Sequence, residues 1–256
     1  MNFLEKKKIL LIISGGIAAY KSLDLIRSLI KIQCEVKTIL TKGGAEFVTP
    51  LSIASLSKNK VYTDMYSVEN ESEMDHISLS RWADLILIAP ATSNIIAKMS
   101  QGISDDLATT VVQASNKSIF VCPAMNVRMW EHASNKQNLE KIKSYNYRII
   151  GPFNGEMACG EYGDGRMADI KYILNELDNF FKSKSNNKKF KAIVTAGPTR
   201  EYIDPVRYIS NRSSGKQGYE IAKSLFNYGF DTTLISGPSK PVSYTHLTLP
   251  TKPSVL

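Results

Sequence analysis

Apolar residues in the first 150 positions concentrate in short stretches, at residues 9–13, 36–40, 85–89, 119–122 and 148–150. The stretches between them carry apolar side chains at helical spacing, as Ala19, Leu23, Ile26 and Ile30 do. Strand cores that are apolar on both faces and alternate with helices belong to a parallel sheet covered on both sides. The pattern therefore predicts an α/β fold with a doubly wound parallel sheet, flavodoxin-like or Rossmann-like. Ser14, Gly15 and Gly16 form the turn between the first strand and the first helix. Asp105 and Asp106, after Ser104, read as the first turn of a later helix, where the dipole favours negative charge.

The pattern breaks at the polar run Lys-Ser-Lys-Ser-Asn-Asn-Lys-Lys, within residues 182–190. A solvated linker is the expectation there, with a charged helix end as the alternative. It restarts with a strand at 192–194, a turn through Ala196, Gly197, Pro198 and Thr199, a helix near 218–228 and a strand at 232–235. The expected organisation is a first domain over 1–181, a linker over 182–190 and the opening of a second α/β domain over 191–242. A fragment of about fifty residues is too small to complete a core of its own, so the second domain is expected to be truncated. Residues 243–256 hold neither strand nor helix period and are expected to be unstructured or foreign to the domain.

Composition narrows the classes. At 256 residues and 43% hydrophobic content, one good-sized domain and part of another can bury a core. No apolar run is long enough to cross a bilayer, and residues 9–13 lead into a glycine turn rather than a cleavage site, so a cytoplasmic location is expected. The net charge of +8 comes from scattered lysines, which argues against a nucleic-acid partner. Cys34, Cys122 and Cys159 make an odd set without CxxC pairs or histidines at ligand spacing, so neither a disulfide framework nor a metal site is expected. Cys34 and Cys122 adjoin strands and read as core thiols.

In open parallel sheets ligands sit beyond the carboxyl ends of the strands. The suggestive turns lie there: Ser14, Gly15 and Gly16; Thr41 with Lys42, Gly43 and Gly44; and Pro90, Ala91, Thr92, Ser93 and Asn94. Glycines at the first turn let backbone N–H groups approach a phosphate at a helix N-terminus, although any βα turn favours glycine. The full GxGxxG spacing is absent, and the second strand ends in Thr41-Lys42 where a dinucleotide fold places an acid for the ribose. This disfavours a nicotinamide cofactor and points to a phosphate monoester, hence a mononucleotide such as FMN. Thr92, Ser93 and Asn94 serve either the phosphate or the isoalloxazine edge, or are a plain N-cap cluster.

Four segments carry a resemblance: His76-Ile77-Ser78-Leu79; Pro90 to Asn94; Pro123-Ala124-Met125-Asn126 with Met129-Trp130; and Ala158-Cys159-Gly160-Glu161-Tyr162-Gly163-Asp164-Gly165-Arg166-Met167. Together they resemble the homo-oligomeric flavin-containing cysteine decarboxylases. The resemblance extends over residues 5–240, and is greatest to members that join phosphopantothenoylcysteine decarboxylase to phosphopantothenate–cysteine ligase. It implies an oxidative route: FMN takes a hydride from the β-carbon of the cysteine moiety, the thioaldehyde loses carbon dioxide, and the enethiolate is then reduced. It also implies His76 as the base, Asn126 as an amide donor to the substrate carboxylate, and Cys159, on a glycine-hinged lid, as the proton donor. Met125, Ala158, Arg166 and Met167 become substrate contacts, and Ser14 to Gly16, Thr41, Pro90 to Asn94, Asp105 and Asp106 cofactor contacts.

The second segment, from Thr195 to Lys216, resembles the opening of the ligase domain, with Arg207 and Asn211 at the part that handles an acyl-cytidylate. A complete ligase domain uses CTP and Mg2+, and its lysine-bearing nucleotide segments lie beyond this chain. The family implies a homo-oligomer built from trimers, with a small-molecule substrate and no membrane partner. The competing class is a flavodoxin-like FMN carrier, which has no use for a thiol on a glycine-hinged loop. A nicotinamide reductase lacks its acidic residue here.

Overall fold

In the computed structural model β1 (Lys8–Ile13) lies at the centre of a six-stranded parallel sheet, and its last five residues are buried. The structure describes residues 3–65, 75–158, 160–186, 190–228 and 230–238. The other strands are β2 (Glu35–Leu40), β3 (Val61–Tyr62), β4 (Leu85–Ala91), β5 (Ser118–Pro123) and β6 (Arg148–Ile149), in the order β3-β2-β1-β4-β5-β6. The order reverses between β1 and β4, the crevice where doubly wound sheets bind ligands.

Alternation along the strands divides the core in two. Ile9, Leu11 and Ile13 of β1, with Leu85, Leu87 and Ala89 of β4, pack beneath α1 (Ala19–Lys31) and α9 (Ile170–Asn186). Leu10 and Ile12, with Ile86 and Ile88, face α5 (Ser93–Gln101), α6 (Leu107–Gln113) and α8 (Ala133–Ser144). Phe120 meets Phe180 of α9 edge-on at 5.2 Å, and the Arg148 guanidinium covers Phe180 at 4.8 Å from the ring centroid. The remaining elements are α2 (Lys42–Ala45), α3 (Pro50–Ser57), α4 (Asp75–Trp82), α7 (Val127–Glu131) and an antiparallel hairpin of β7 (Phe153–Glu156) and β8 (Tyr162–Arg166). The expected doubly wound sheet is thus observed, with β3 added at its edge and the hairpin as a separate two-stranded sheet.

Two local readings change. Asp106 is the N-cap of α6, its carboxylate accepting from the Thr109 N–H at 2.8 Å, and Asp105 precedes it, so neither sits inside the first turn. The polar run after Phe181 begins as helix, because α9 continues to Asn186.

At the end of β4 the pairing with β5 shifts register between Ile88 and Ala91. Pro90 brings no N–H to the ladder, and the buried side chains on either side of it change faces, Ala89 joining one core cluster and Ala91 the other. The freed backbone groups find side-chain partners. The Ser14 hydroxyl donates to the Pro90 carbonyl at 2.7 Å and accepts from the Thr92 N–H at 3.1 Å, while Ser22 of α1 donates to the Ala89 carbonyl at 2.7 Å. Ser14 and Ser22 are both buried.

A second compact unit begins at Lys182. Its strands β9 (Lys191–Ala196) and β12 (Asp231–Ser236) pair in parallel; between them the chain forms the hairpin β10 (Arg200–Tyr202) and β11 (Tyr208–Ser210), then α10 (Lys216–Asn227). Its buried cluster is Ala196, Ala222 and Leu234, and Ile193 is 72% exposed, because a two-stranded sheet covers little on its outer face.

Two outcomes follow from the packing. Ser14→Ala leaves the Thr92 N–H without its acceptor and the Pro90 carbonyl with only the Ser14 N–H at 3.4 Å, and should cost about 1–3 kcal/mol in urea unfolding; an unchanged midpoint contradicts the role given to the hydroxyl. Burial pushes the Cys34 thiol up to about 12 and the Cys122 thiol higher still. Iodoacetamide at neutral pH should therefore spare both in the folded chain and label both in denaturant, as peptide mass spectrometry would read.

Candidate functional site

Three βα turns open onto one cleft of about 830 Å³ at the carboxyl ends of β1, β2 and β4. Ser14, Gly15 and Gly16 come from the first, Thr41, Lys42 and Gly43 from the second, Thr92 and Asn94 from the third. Among the described residues the backbone N–H groups of Gly15, Gly16, Ile17 and Ala18 donate to no protein acceptor, and α1 has no side-chain cap. These amides sit at the positive end of a helix of 13 residues, an environment built for an anion. The first two turns touch through glycine backbone: a Cβ at Gly15 would lie 3.2 Å from the Gly43 carbonyl oxygen. Volume and donor set fit a mononucleotide phosphate and its ring.

The hydroxyls expected to contact that ligand are engaged elsewhere. Ser14 spends its proton on Pro90, and Thr41 donates to the Ile13 carbonyl at 3.2 Å while capping α2 through the Gly44 N–H at 3.1 Å. The anion donors in these turns are therefore backbone amides rather than hydroxyls. Pro90 and Ala91 belong to the buried end of β4, and neither lines the cleft. Thr92 caps α5 through the Ile95 N–H, Ser93 opens that helix outside the cleft lining, and Asn94 is exposed along the wall.

Opposite the turns lie Asp105, Asp106 and Lys98. The Lys98 ammonium bridges Asp105 at 2.7 Å and Asp106 at 3.1 Å, and the hydrogen bond to Asp105 raises it above the ordinary lysine range. Burial works to raise the Asp106 carboxyl, but hydrogen bonds from the Thr109 N–H and hydroxyl, together with Lys98, hold it below the usual carboxylate range. One ammonium is thus shared between the two carboxylates. Sequence reasoning missed Lys98, along with Glu46, Phe47 and Met65 on the far wall. Phe47, 47% exposed, was the available signal.

A second cleft of about 590 Å³ adjoins the first, and Gly16 lines both. Its walls are the first turn of α1, Met125 and Asn126 after β5, and the hairpin, including Ala158, Arg166 and Met167. Asn126 has its amide oriented by the fold: Oδ1 caps α7, accepting from the Arg128 N–H at 2.7 Å and the Met129 N–H at 3.4 Å, and Nδ2 donates to Glu161. The hairpin is tied to this segment by the Met125 N–H on the Gly165 carbonyl at 3.0 Å. Met125, Asn126, Ala158, Arg166 and Met167 are therefore brought together as expected, and Lys21 and Tyr20 join them unforeseen.

His76 stands apart. It is half-buried in the first turn of α4, a helix rather than the loop its surroundings imply, and lines a separate cavity with Arg81 and Asn116. Within one chain it shares neither cleft. Cys159 lies outside the described residues. In the second unit Arg207 pairs with Asp204 at 2.6 Å, and Asn211 accepts from the Ser213 N–H at 3.0 Å, each within its own turn. No group of three or more His, Cys, Asp or Glu residues able to hold a metal occurs among the described residues, and no helix among them is long and apolar enough to cross a membrane.

Comparison with known proteins places these features. Residues 2–182 match the Flavoprotein family, and residues 187–250 the DNA/pantothenate metabolism flavoprotein C-terminal domain. The chain is 45% identical over 235 residues to the coenzyme A biosynthesis bifunctional protein CoaBC of Haemophilus influenzae, covering 92% of this chain and 59% of that protein. Against the Escherichia coli protein of the same name identity is 41% over 252 residues, covering 98% of this chain and 60% of the other. The chain thus spans about three fifths of these relatives.

Among solved structures, a PPC decarboxylase mutant complexed with pantothenoylaminoethenethiol superposes with a TM-score of 0.62 at 29% identity, over 70% of this chain and 100% of that one. The FMN binding protein AtHal3 gives 0.60 at 32% identity, over 70% and 98%. The match from residue 2 to 182 takes in every turn that opens on the two clefts, and on it the chain belongs to the Flavoprotein family.

Proposed function

We propose that this chain catalyses the FMN-dependent decarboxylation of 4′-phosphopantothenoylcysteine to 4′-phosphopantetheine in coenzyme A biosynthesis. The observation that carries the reading is the pair of clefts sharing Gly16, one ringed by unpaired amides and the other holding the oriented amide of Asn126. The names of the relatives and of the superposed decarboxylase support the same substrate class. The amides of Gly15 to Ala18 would hold the FMN phosphate, and the bound flavin would supply a two-electron oxidation of the cysteine moiety and its reversal after carbon dioxide leaves.

The chain's own residues bind and move protons. Asn126 donates Nδ2–H to the substrate carboxylate in place of Glu161, while its capped Oδ1 fixes which end of the amide faces the cleft. His76 takes the proton released during oxidation, and Cys159 returns one during the final reduction. Because His76 and Asn126 line different cavities of one chain, the reading requires His76 of a second copy to complete the site. A homo-oligomer built from trimers satisfies this. The apolar rim, with Ile17 and Tyr20 beside one cleft and Phe47 and Met129 beside the other, each 47–56% exposed, supplies the surface to bury. The free thiols Cys34 and Cys122 suit a reducing cytoplasm. Residues 191–238 contribute the opening of a ligase-type domain; CTP and Mg2+ belong to that domain when complete.

Purified wild-type chain should be yellow and convert 4′-phosphopantothenoylcysteine to a product lighter by carbon dioxide in mass spectrometry. Protein that binds flavin and leaves this substrate untouched would be a carrier instead. His76→Asn should retain flavin and lose about 100-fold or more in rate. Cys159→Ser should stall at an oxidised, decarboxylated product two mass units lighter than phosphopantetheine; full turnover by this variant would remove the thiol from the mechanism.

A further inference from the structure

Two cationic side chains, those of Lys21 and Arg166, line the second cleft. Lys21, in the first turn of α1, is half-buried, and its ammonium makes no hydrogen bond or ion pair among the described residues. Its backbone is on a fixed element, since the neighbouring Ser22 is buried and bonded to the Ala89 carbonyl at 2.7 Å. Arg166, at the end of β8, lies along the backbone of Gly155, where an added Cβ would sit 3.1 Å from its Nε. Among the described residues that Nε is buried without a hydrogen-bond partner, and the Asp169 carboxylate lies 3.6 Å from Nη2. Burial and the Arg166 charge pull the Lys21 ammonium below the ordinary amine range, and Asp169 offsets this in part. Glu156, which lines the cleft, is exposed on its strand. Two cations face one small volume with unspent donors, which is the arrangement that binds an oxyanion.

Resting on the decarboxylase reading, we propose that Lys21 and Arg166 form an anion pole of the substrate cleft, which clamps an oxyanion of the substrate, a carboxylate or a phosphate monoester. Lys21 is the specificity-determining member, presented by α1, and Arg166 the member carried by the hairpin. An anion there bridges the two cations, holding the reacting end of the substrate beside Gly16 and the flavin cleft.

The test uses the full FMN-loaded chain, so that the amides of the first turn are already occupied. Lys21 is acetylated with a limiting pulse of acetic anhydride and its labelling read by peptide mass spectrometry, with exposed Lys42 as reference. Inorganic phosphate, against chloride at equal ionic strength, should slow labelling of Lys21 several-fold and leave Lys42 unchanged, and Arg166→Met should abolish that protection. Equal labelling with phosphate and chloride overturns the pole.

Three ligands then identify the group. Protection by 4′-phosphopantothenoylcysteine and 4′-phosphopantetheine, but not pantothenoylcysteine, assigns the phosphate; protection by the two cysteine compounds, but not 4′-phosphopantetheine, assigns the carboxylate. Pantetheine carries neither group, and equal protection by it would reduce the effect to steric cover and overturn the proposal. In turnover, Lys21→Met should raise KM about tenfold with a smaller change in kcat, the loss expected for one charged contact. Phosphate protection in a chain that does not decarboxylate the substrate would uphold the pole and refute the decarboxylase reading, so the two fail separately.

Discussion

The hydroxyl of Ser14 holds the centre of the molecule together. Where β4 loses register against β5, a carbonyl and an N–H leave the ladder inside the protein, at a cost unless both are paired. One buried hydroxyl pairs with both, since it can donate and accept at once. It also sits at the end of β1, so the same contact sets the spacing of the two strands between which the sheet reverses order. Everything the clefts require from backbone geometry begins at that joint: the turn that follows Ser14, the start of α5 at Thr92, and the seat of α1 through Ser22.

From the joint, function divides between backbone and side chain. The flavin cleft presents amides, with the nearby hydroxyls turned inward to cap and brace, and its acids already matched by Lys98. The neighbouring cleft is built from side chains whose directions other contacts have fixed: Asn126 by the cap of α7, Arg166 by the backbone of β7, Lys21 by the rigid helix beneath it. A site made of amides tolerates sequence change around it, provided the turn survives. A site made of oriented side chains depends on each residue and on its brace.

The buried strands were legible in the sequence because their apolar runs have one explanation, a sheet covered on both sides. What escaped was short or ambiguous in period. β3 is two residues long, and the hairpin strands are rich in glycine, which carries no hydrophobic signal. Asn126 and Arg166 were found through motif resemblance, but only the fold shows that the asparagine's oxygen is consumed by a helix cap. The helix that carries His76 has too few apolar positions to announce itself in the sequence. Lys21 left no trace, since a lysine on an amphipathic helix looks like any solvated one until the hairpin is seen to lie over it. Asp105 and Asp106 were placed at the right helix but in the wrong role, as acids in a helical turn rather than as a cap and its neighbour sharing one ammonium.

Gly16 is the wall between the two clefts, and it is one backbone thick. Crowding does not keep side chains out of it: the nearest atom to an added Cβ would be Thr92 Cγ2 at 3.9 Å. The φ of 99° does, because that conformation strains any residue with a Cβ. A partition set by torsion rather than by bulk separates two ligands by the least matter a polypeptide can interpose. A flavin and a substrate bound as proposed would have only that backbone between them at this point.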